Sequence, residues 1–248
     1  MTFLTELWTS LPLWGWLVLA LCALLIGFAK TAIGGVAMIA VVLAAIVLPA
    51  KDSTGVVLVM LLVGDLVAIW TYRHDVDWKL IGRLVVPVLL GIGLGAVFLG
   101  WVDSATLKRT IGVILLVLLV IGFWPDKLGT HRPSVGMAYG GLAGFTTMVA
   151  NAGGPPMNLY LLAAKYDKWR FLGTTAWFFF AVNLTKLPVS IGIGIVRPDT
   201  AVLAAVMIPL VLLGTWIGRL TIKRIDQATF EKLVTIFVAV SALYLVFF

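Results

Sequence analysis

Charge is scarce in this chain. Of its 248 residues, 12% are Asp, Glu, Lys or Arg, where a soluble domain carries about 25%. That is too little charge to cover a water-facing surface. Cysteine is nearly absent: Cys22 stands alone in an apolar stretch, which excludes an internal disulfide and a thiolate metal site. The two histidines, His74 and His131, sit in polar links and cannot build a zinc site by themselves. GxSxG, HExxH and P-loop patterns are missing, so no common hydrolase or ATPase signature applies. Hydrophobic residues, in contrast, make up 62%, with a mean hydropathy of +1.11. Disordered chains are poor in such residues. What remains is an all-α polytopic membrane protein, with the lipid bilayer as its surroundings.

Acidic side chains number 11 against 18 basic ones, for a net charge of +7. No basic stripe lies outside the hydrophobic segments, so nucleic acid is not expected as a partner. Lys and Arg gather instead in the cytoplasmic loops of membrane proteins. No Lys or Arg precedes the first apolar stretch, and Glu6 is the sole charge there. A cleaved signal peptide needs a basic n-region, so the first segment is expected to be retained.

Apolar segments run end to end: 13–33, 36–49, 56–72, 80–100, 107–124, 135–149, 155–164, 171–195, 201–222 and 230–248. Spanning takes about 20 residues. The segments 36–49 and 155–164 are too short to cross unaided and fit half-helices or re-entrant pieces. Trp14, Trp16, Trp70, Trp78, Trp169 and their like gather near segment ends, as an interfacial aromatic belt does.

The sequence is duplicated. Trp101-Val-Asp-Ser-Ala-Thr-Leu107 aligns with Arg224-Ile-Asp-Gln-Ala-Thr-Phe230, and at the same offset Gly91 and Gly95 align with Gly214 and Gly218. Gly27-Phe28 matches Gly144-Phe145, and Gly34-Gly35 matches Gly153-Gly154. The expected organisation is a first transmembrane repeat over 1–124, a polar connector over 125–134 and a second repeat over 135–248. Each repeat holds about five hydrophobic segments. With an odd number of crossings per repeat, one side holds twelve of the loop cations (Arg73, Lys79, Arg83, Lys127, Arg132, Lys165, Lys168, Arg170, Arg219, Lys223, Arg224 and Lys232). The other side holds Lys51, Lys108, Arg109 and Arg197. An even number gives a weaker split, so the loop-charge bias favours pseudo-symmetric, inverted repeats.

Two features bear on chemistry. First, each repeat has a glycine doublet opening a short apolar segment: Lys30-Thr-Ala-Ile-Gly-Gly-Val36 and Asn151-Ala-Gly-Gly-Pro-Pro-Met-Asn158. Glycine permits a sharp turn and close approach of a ligand, and the free amides of a helix N-terminus attract anions. Two such half-helices meeting at mid-membrane would make one anion site. Candidate binding residues are Lys30, Thr31, Gly34, Gly35, Asn151, Gly153, Gly154, Asn158, Asn183 and Lys186. The GxxxG pairs Gly91/Gly95 and Gly214/Gly218 read instead as helix-packing positions. Second, Lys30, Asp65 and Lys186 lie inside or at the edge of apolar segments, where ionisable groups are costly and mark function. Asn183 aligns with Asp65 and shares a helix face with Lys186. Two cations suggest an anionic ligand. An internal pair, for instance Asp65 with Lys186, is the alternative, and a free Asp65 would be a proton-coupling carboxylate.

These residues resemble the TauE/SafE sulfite exporter family, the TSUP permeases. The likeness covers nearly the whole chain. It rests on Gly27…Ile33-Gly34-Gly35, on Gly144…Ala152-Gly153-Gly154-Pro155, on Phe171-Leu-Gly-Thr-Thr…Asn183-Leu-Thr-Lys186 and on Pro87…Gly91…Gly95. Half one departs from half two in having Val36-Ala37 where the other has Pro155-Pro156. The resemblance implies secondary transport of a small anion such as sulfite, thiosulfate or an organosulfonate. The expected mode is alternating access across the bacterial inner membrane, by a monomer or homodimer with no cofactor. An anion channel and a membrane-embedded enzyme are the competing readings.

Overall fold

A computed structural model describes residues 11–98, 113, 116 and 132–247. The segment 107–124 apart from Val113 and Leu116, the Trp101–Leu107 motif, most of the 125–134 connector, Glu6, Trp8 and His131 lie outside the described residues. So do Lys108, Arg109 and Lys127.

Among the described residues the chain is helical: α1 Leu13–Thr31, α2 Val36–Val47, α3 Ala50–Tyr72, α4 Trp78–Phe98, α5 Pro133–Ala150, α6 Gly154–Ala163, α7 Lys168–Gly192, α8 Pro198–Arg224 and α9 Gln227–Phe247. Prolines punctuate it. Leu48 precedes Pro49 and is extended (φ −116°, ψ 150°), which ends α2. Arg132 is extended before Pro133, which occupies the first turn of α5. Asp77, Asp167 and Asp226 cap the starts of α4, α7 and α9. Asp77 Oδ1 accepts from the Leu80 amide at 3.0 Å, and Asp167 Oδ1 from the amides of Trp169 and Arg170 at 3.1 Å each. Asp226 Oδ1 accepts from the Thr229 amide at 3.0 Å. Each bond satisfies one of the donors a helix start leaves open.

Among the described residues four helices are long and apolar enough to cross a membrane: α1, α3 from Lys51, α4 and α8. The short α2 and α6 have 12 and 10 residues. At about 1.5 Å per residue neither reaches across a core of about 30 Å. Trp14, Trp70, Trp78 and Trp169 are exposed near helix ends.

The described chain forms two compact units that do not follow chain order. Unit 1 is Met1–Thr71 with Phe179–Arg224, and unit 2 is Tyr72–Phe178 with Ile225–Phe248. Each therefore draws helices from both sequence halves. Within unit 1, α1 packs on α8 along glycines. A methyl on Gly27 would overlap the Val211 carbonyl, and one on Gly214 the Leu24 carbonyl. Within unit 2, α4 packs on α5 in the same manner: Gly91 lies against the Gly141 carbonyl and Gly144 against the Val88 carbonyl. Both GxxxG pairs are thus contact positions where backbones meet. Gly95 abuts Met148 and Gly218 abuts Thr31. The unit 1 core fills in around these contacts with Leu19, Cys22, Ile26, Met60, Leu203 and Val211.

Candidate functional site

Unit 1 holds the buried charge. Lys30, in the last turn of α1, reaches Asp65 of α3 with Nζ 2.6 Å from Oδ1. The path is opened by Gly64, whose added Cβ would lie 2.8 Å from Lys30 Cγ. The other carboxylate oxygen, Oδ2, accepts from Asn183 Nδ2 of α7 at 2.8 Å. Asp65 is fully buried and the Lys30 side chain is 10% exposed. Lys30 Nζ also stands 5.2 Å from the Phe179 ring centroid, within cation–π range. Lys186, one turn beyond Asn183, is buried and lies within electrostatic reach of Lys30. The partner of Asp65 is therefore Lys30, not Lys186.

The rest of the first doublet is used for structure. Thr31 Oγ1 donates to the Thr215 carbonyl at 2.8 Å and toward the Gly27 carbonyl at 3.3 Å. Its hydrogen thereby joins α1 to α8. Gly35 has a right-handed helical backbone (φ −61°, ψ −25°), so a left-handed turn is not what places glycine there. The amides of Val36, Ala37 and Met38 donate to the carbonyls of Ile33, Gly34 and Gly35 at 3.0, 3.2 and 3.2 Å. The first amides of α2 are thus already bonded.

Unit 2 holds the second doublet. Asn151 is left-handed (φ 51°, ψ 26°) and closes α5. Asparagine tolerates this conformation better than most residues. Thr146 Oγ1 donates to the Ala152 carbonyl at 3.0 Å and fixes the turn. Gly153 is helical (φ −70°, ψ −19°). A Cβ there would press on Thr147 Cβ at 2.8 Å, whereas one on Gly154 meets nothing within 4 Å. Asn158 is buried, and its Nδ2 has no hydrogen-bond partner.

Sequence reasoning missed a polar cluster at the loop end of unit 2. Asp77 Oδ2 accepts from Tyr166 Oη at 2.6 Å and from Arg170 Nη2 at 2.8 Å. The Asp77 amide donates to Thr174 Oγ1 at 3.0 Å. Gln227 Nε2 donates to the Tyr166 carbonyl at 3.2 Å, and Lys168 Nζ donates to the Ile225 carbonyl. Burial pushes the Asp77 carboxyl up, but the bonds from Tyr166, Leu80 and Arg170 outweigh it and hold the carboxyl below its usual range. Burial, reinforced by Asp77, raises the Tyr166 phenol. These partners lie 89 and 93 residues apart, and no local pattern signals them. Unit 1 has one ion pair at a comparable place, Arg197 Nη2 to Asp52 Oδ1 at 2.7 Å.

Apolar spanning helices with ionised groups inside them are the build of a transport protein. The sulfite exporter TauE/SafE family model matches residues 19–245. The chain belongs to the TauE/SafE family. Its members are transporters, and this chain is an integral membrane protein of that kind. No match was found among the curated proteins or the solved structures.

Proposed function

We propose that this TauE/SafE member is a secondary transporter of a small sulfur oxyanion, such as sulfite, thiosulfate or an organosulfonate. It would work across the bacterial inner membrane by alternating access between two inverted repeats. The observation that carries the reading is the buried cluster of Lys30, Asp65, Asn183 and Lys186 in unit 1. Ionisable groups among apolar helices are costly and mark function, and two lysines to one carboxylate suit an anionic ligand. The glycine contacts support the repeats, because Gly27 and Gly144, aligned in the sequence, each abut a carbonyl of the partner helix in their own unit.

The cluster also supports proton coupling. Asp65 meets Lys30 from α1 and Asn183 from α7. With Asp65 ionised, its charge offsets that of Lys30. A proton on Asp65 removes that offset and releases the Lys30 ammonium from its partner. Proton and anion then favour each other's binding, and this linkage is reciprocal.

Flux into proteoliposomes tests both steps. Labelled sulfite uptake should saturate in the wild type and be lost in Lys186→Met. Uptake of a small sulfonate, which stays a monoanion throughout, should rise as pH falls, and Asp65→Asn should abolish that rise. Non-saturating flux would favour a channel. Flux indifferent to Lys186 would remove the cluster from the mechanism.

A further inference from the structure

The second glycine doublet carries an observation that the charged cluster does not absorb. Helix α6 opens at Gly154, followed by Pro155 and Pro156. Prolines have no amide hydrogen, so among the first three residues of α6 only Gly154 offers a donor. Being the first helical residue, it has no acceptor four residues back within the helix, and no hydrogen bond from its amide is formed among the described residues. Beside it the space is open, since a Cβ on Gly154 would meet nothing within 4 Å. Four residues on, Asn158 is 1% exposed, and its Nδ2 has no hydrogen-bond partner.

Residues at i and i+4 share a helix face, and helical side chains lean toward the N-terminus. The Asn158 amide is therefore directed along the face on which Gly154 sits. A buried donor without an acceptor is costly, and a native chain keeps one for a reason. The turn leading in is fixed: the Thr146 hydroxyl holds the Ala152 carbonyl, and Gly153 is seated against Thr147. What faces the open space is thus a rigid pair of neutral donors at the positive end of a helix dipole.

We propose that the Gly154 amide and Asn158 Nδ2 form an oxyanion-binding element in unit 2, which takes acceptor oxygens through neutral donors alone. The assignment rests on the reading that the cargo is a small sulfur oxyanion, and it gives unit 2 an oxyanion-binding element of its own. It differs in kind from the unit 1 cluster. Lysines attract any anion, whereas two directed N–H groups favour one that presents more than one acceptor oxygen. The element therefore contributes selectivity for oxyanions over halides.

The test is equilibrium binding of labelled sulfite to the purified full chain, in competition with chloride. Two substitutions bracket the site. Gly154→Ala places a methyl in the open space and leaves packing untouched, so the ligand-free melting temperature should stay at the wild-type value. The backbone N–H is kept, but the methyl stands in the space an acceptor oxygen would take, so sulfite should bind about tenfold or more weakly. Asn158→Leu removes the donor and should lower the sulfite-over-chloride preference by a similar factor. If that variant fails to fold, Gly154→Ala stands alone as the test. Wild-type sulfite binding that survives Gly154→Ala but is lost in Lys186→Met would overturn this assignment and leave the transport reading intact. A wild-type protein that binds no sulfite would overturn both.

Discussion

The α1–α2 and α5–α6 connections share a glycine doublet and differ in everything polar around it. After Gly34-Gly35 the first amides of α2 are tied to the carbonyls of Ile33, Gly34 and Gly35, and the polar chemistry is ionic: Lys30 on Asp65, with Lys186 nearby. After Gly153-Gly154 two prolines remove the amides, one donor stays open, and the nearby side chain is a neutral asparagine. In the proposed account the two connections offer an anion different chemistry, charge in unit 1 and directed dipoles in unit 2. The contrast shows why a doublet by itself says little. Which amides remain free depends on the residues that follow it.

The largest effect should come from breaking the ionic side. Asp65→Ala leaves Lys30 buried without its carboxylate, and losing one partner of a buried pair costs about 3–5 kcal/mol. Adding Lys30→Met to that variant should recover most of the loss in a denaturant titration. If it does not, the pair is not what holds α1 to α3. The glycine contacts come next. Gly27→Ala in unit 1 and Gly144→Ala in unit 2 each push a methyl into a facing carbonyl, at about 1–3 kcal/mol apiece for overpacking. Similar losses in thermal unfolding would sharpen the parallel between the units, and a loss in one alone would break it.

The ion pairs at the helix starts differ as well. Asp52 pairs with Arg197, whereas Asp77 gathers Tyr166, Arg170 and the Leu80 amide. Asp77→Asn should cost about 1–2 kcal/mol at neutral pH, discounted because Arg170 is half exposed. Its carboxyl is held below the usual range. The stability it supplies is therefore present above the unfolded value, about 3.9, and lost as pH falls through the lower folded value. The gap between wild type and Asp77→Asn should narrow below about pH 4, and a gap independent of pH would contradict the role given to its charge. Smallest is Gly154→Ala, which should move stability by no more than about 0.5 kcal/mol while weakening oxyanion binding.

Much of this was legible in the sequence. Apolar runs locate every described helix, because burial in lipid or core demands them. The starts of α1 and α2 agree, at Leu13 and Val36, and the others are read too late. Reading from the first apolar residue gives Val56, Phe171 and Phe230, yet the helices begin at Ala50, Lys168 and Gln227. The first turn belongs to a capping or proline signal and is polar, so hydropathy overlooks it. The GxxxG pairs were legible as packing, since close backbone approach leaves only small residues as a choice. The partner of Asp65 was not. Lys30 and Lys186 are equivalent by composition, and only the passage beside Gly64 decides between them. The grouping of helices into units was hidden too. Connectivity says which helix follows which, whereas α1 is paired with α8, and α5 with α4, through contacts between distant parts of the chain.

The central claim is that the buried cluster of unit 1 anchors a sulfur oxyanion by its charge. The most direct measurement is labelled sulfite binding to purified wild type, Lys186→Arg and Lys186→Met at fixed ionic strength. The account predicts saturable binding in the first two and a loss of about tenfold or more in the third, as expected when one buried charge is removed. Equal binding by all three proteins would contradict it.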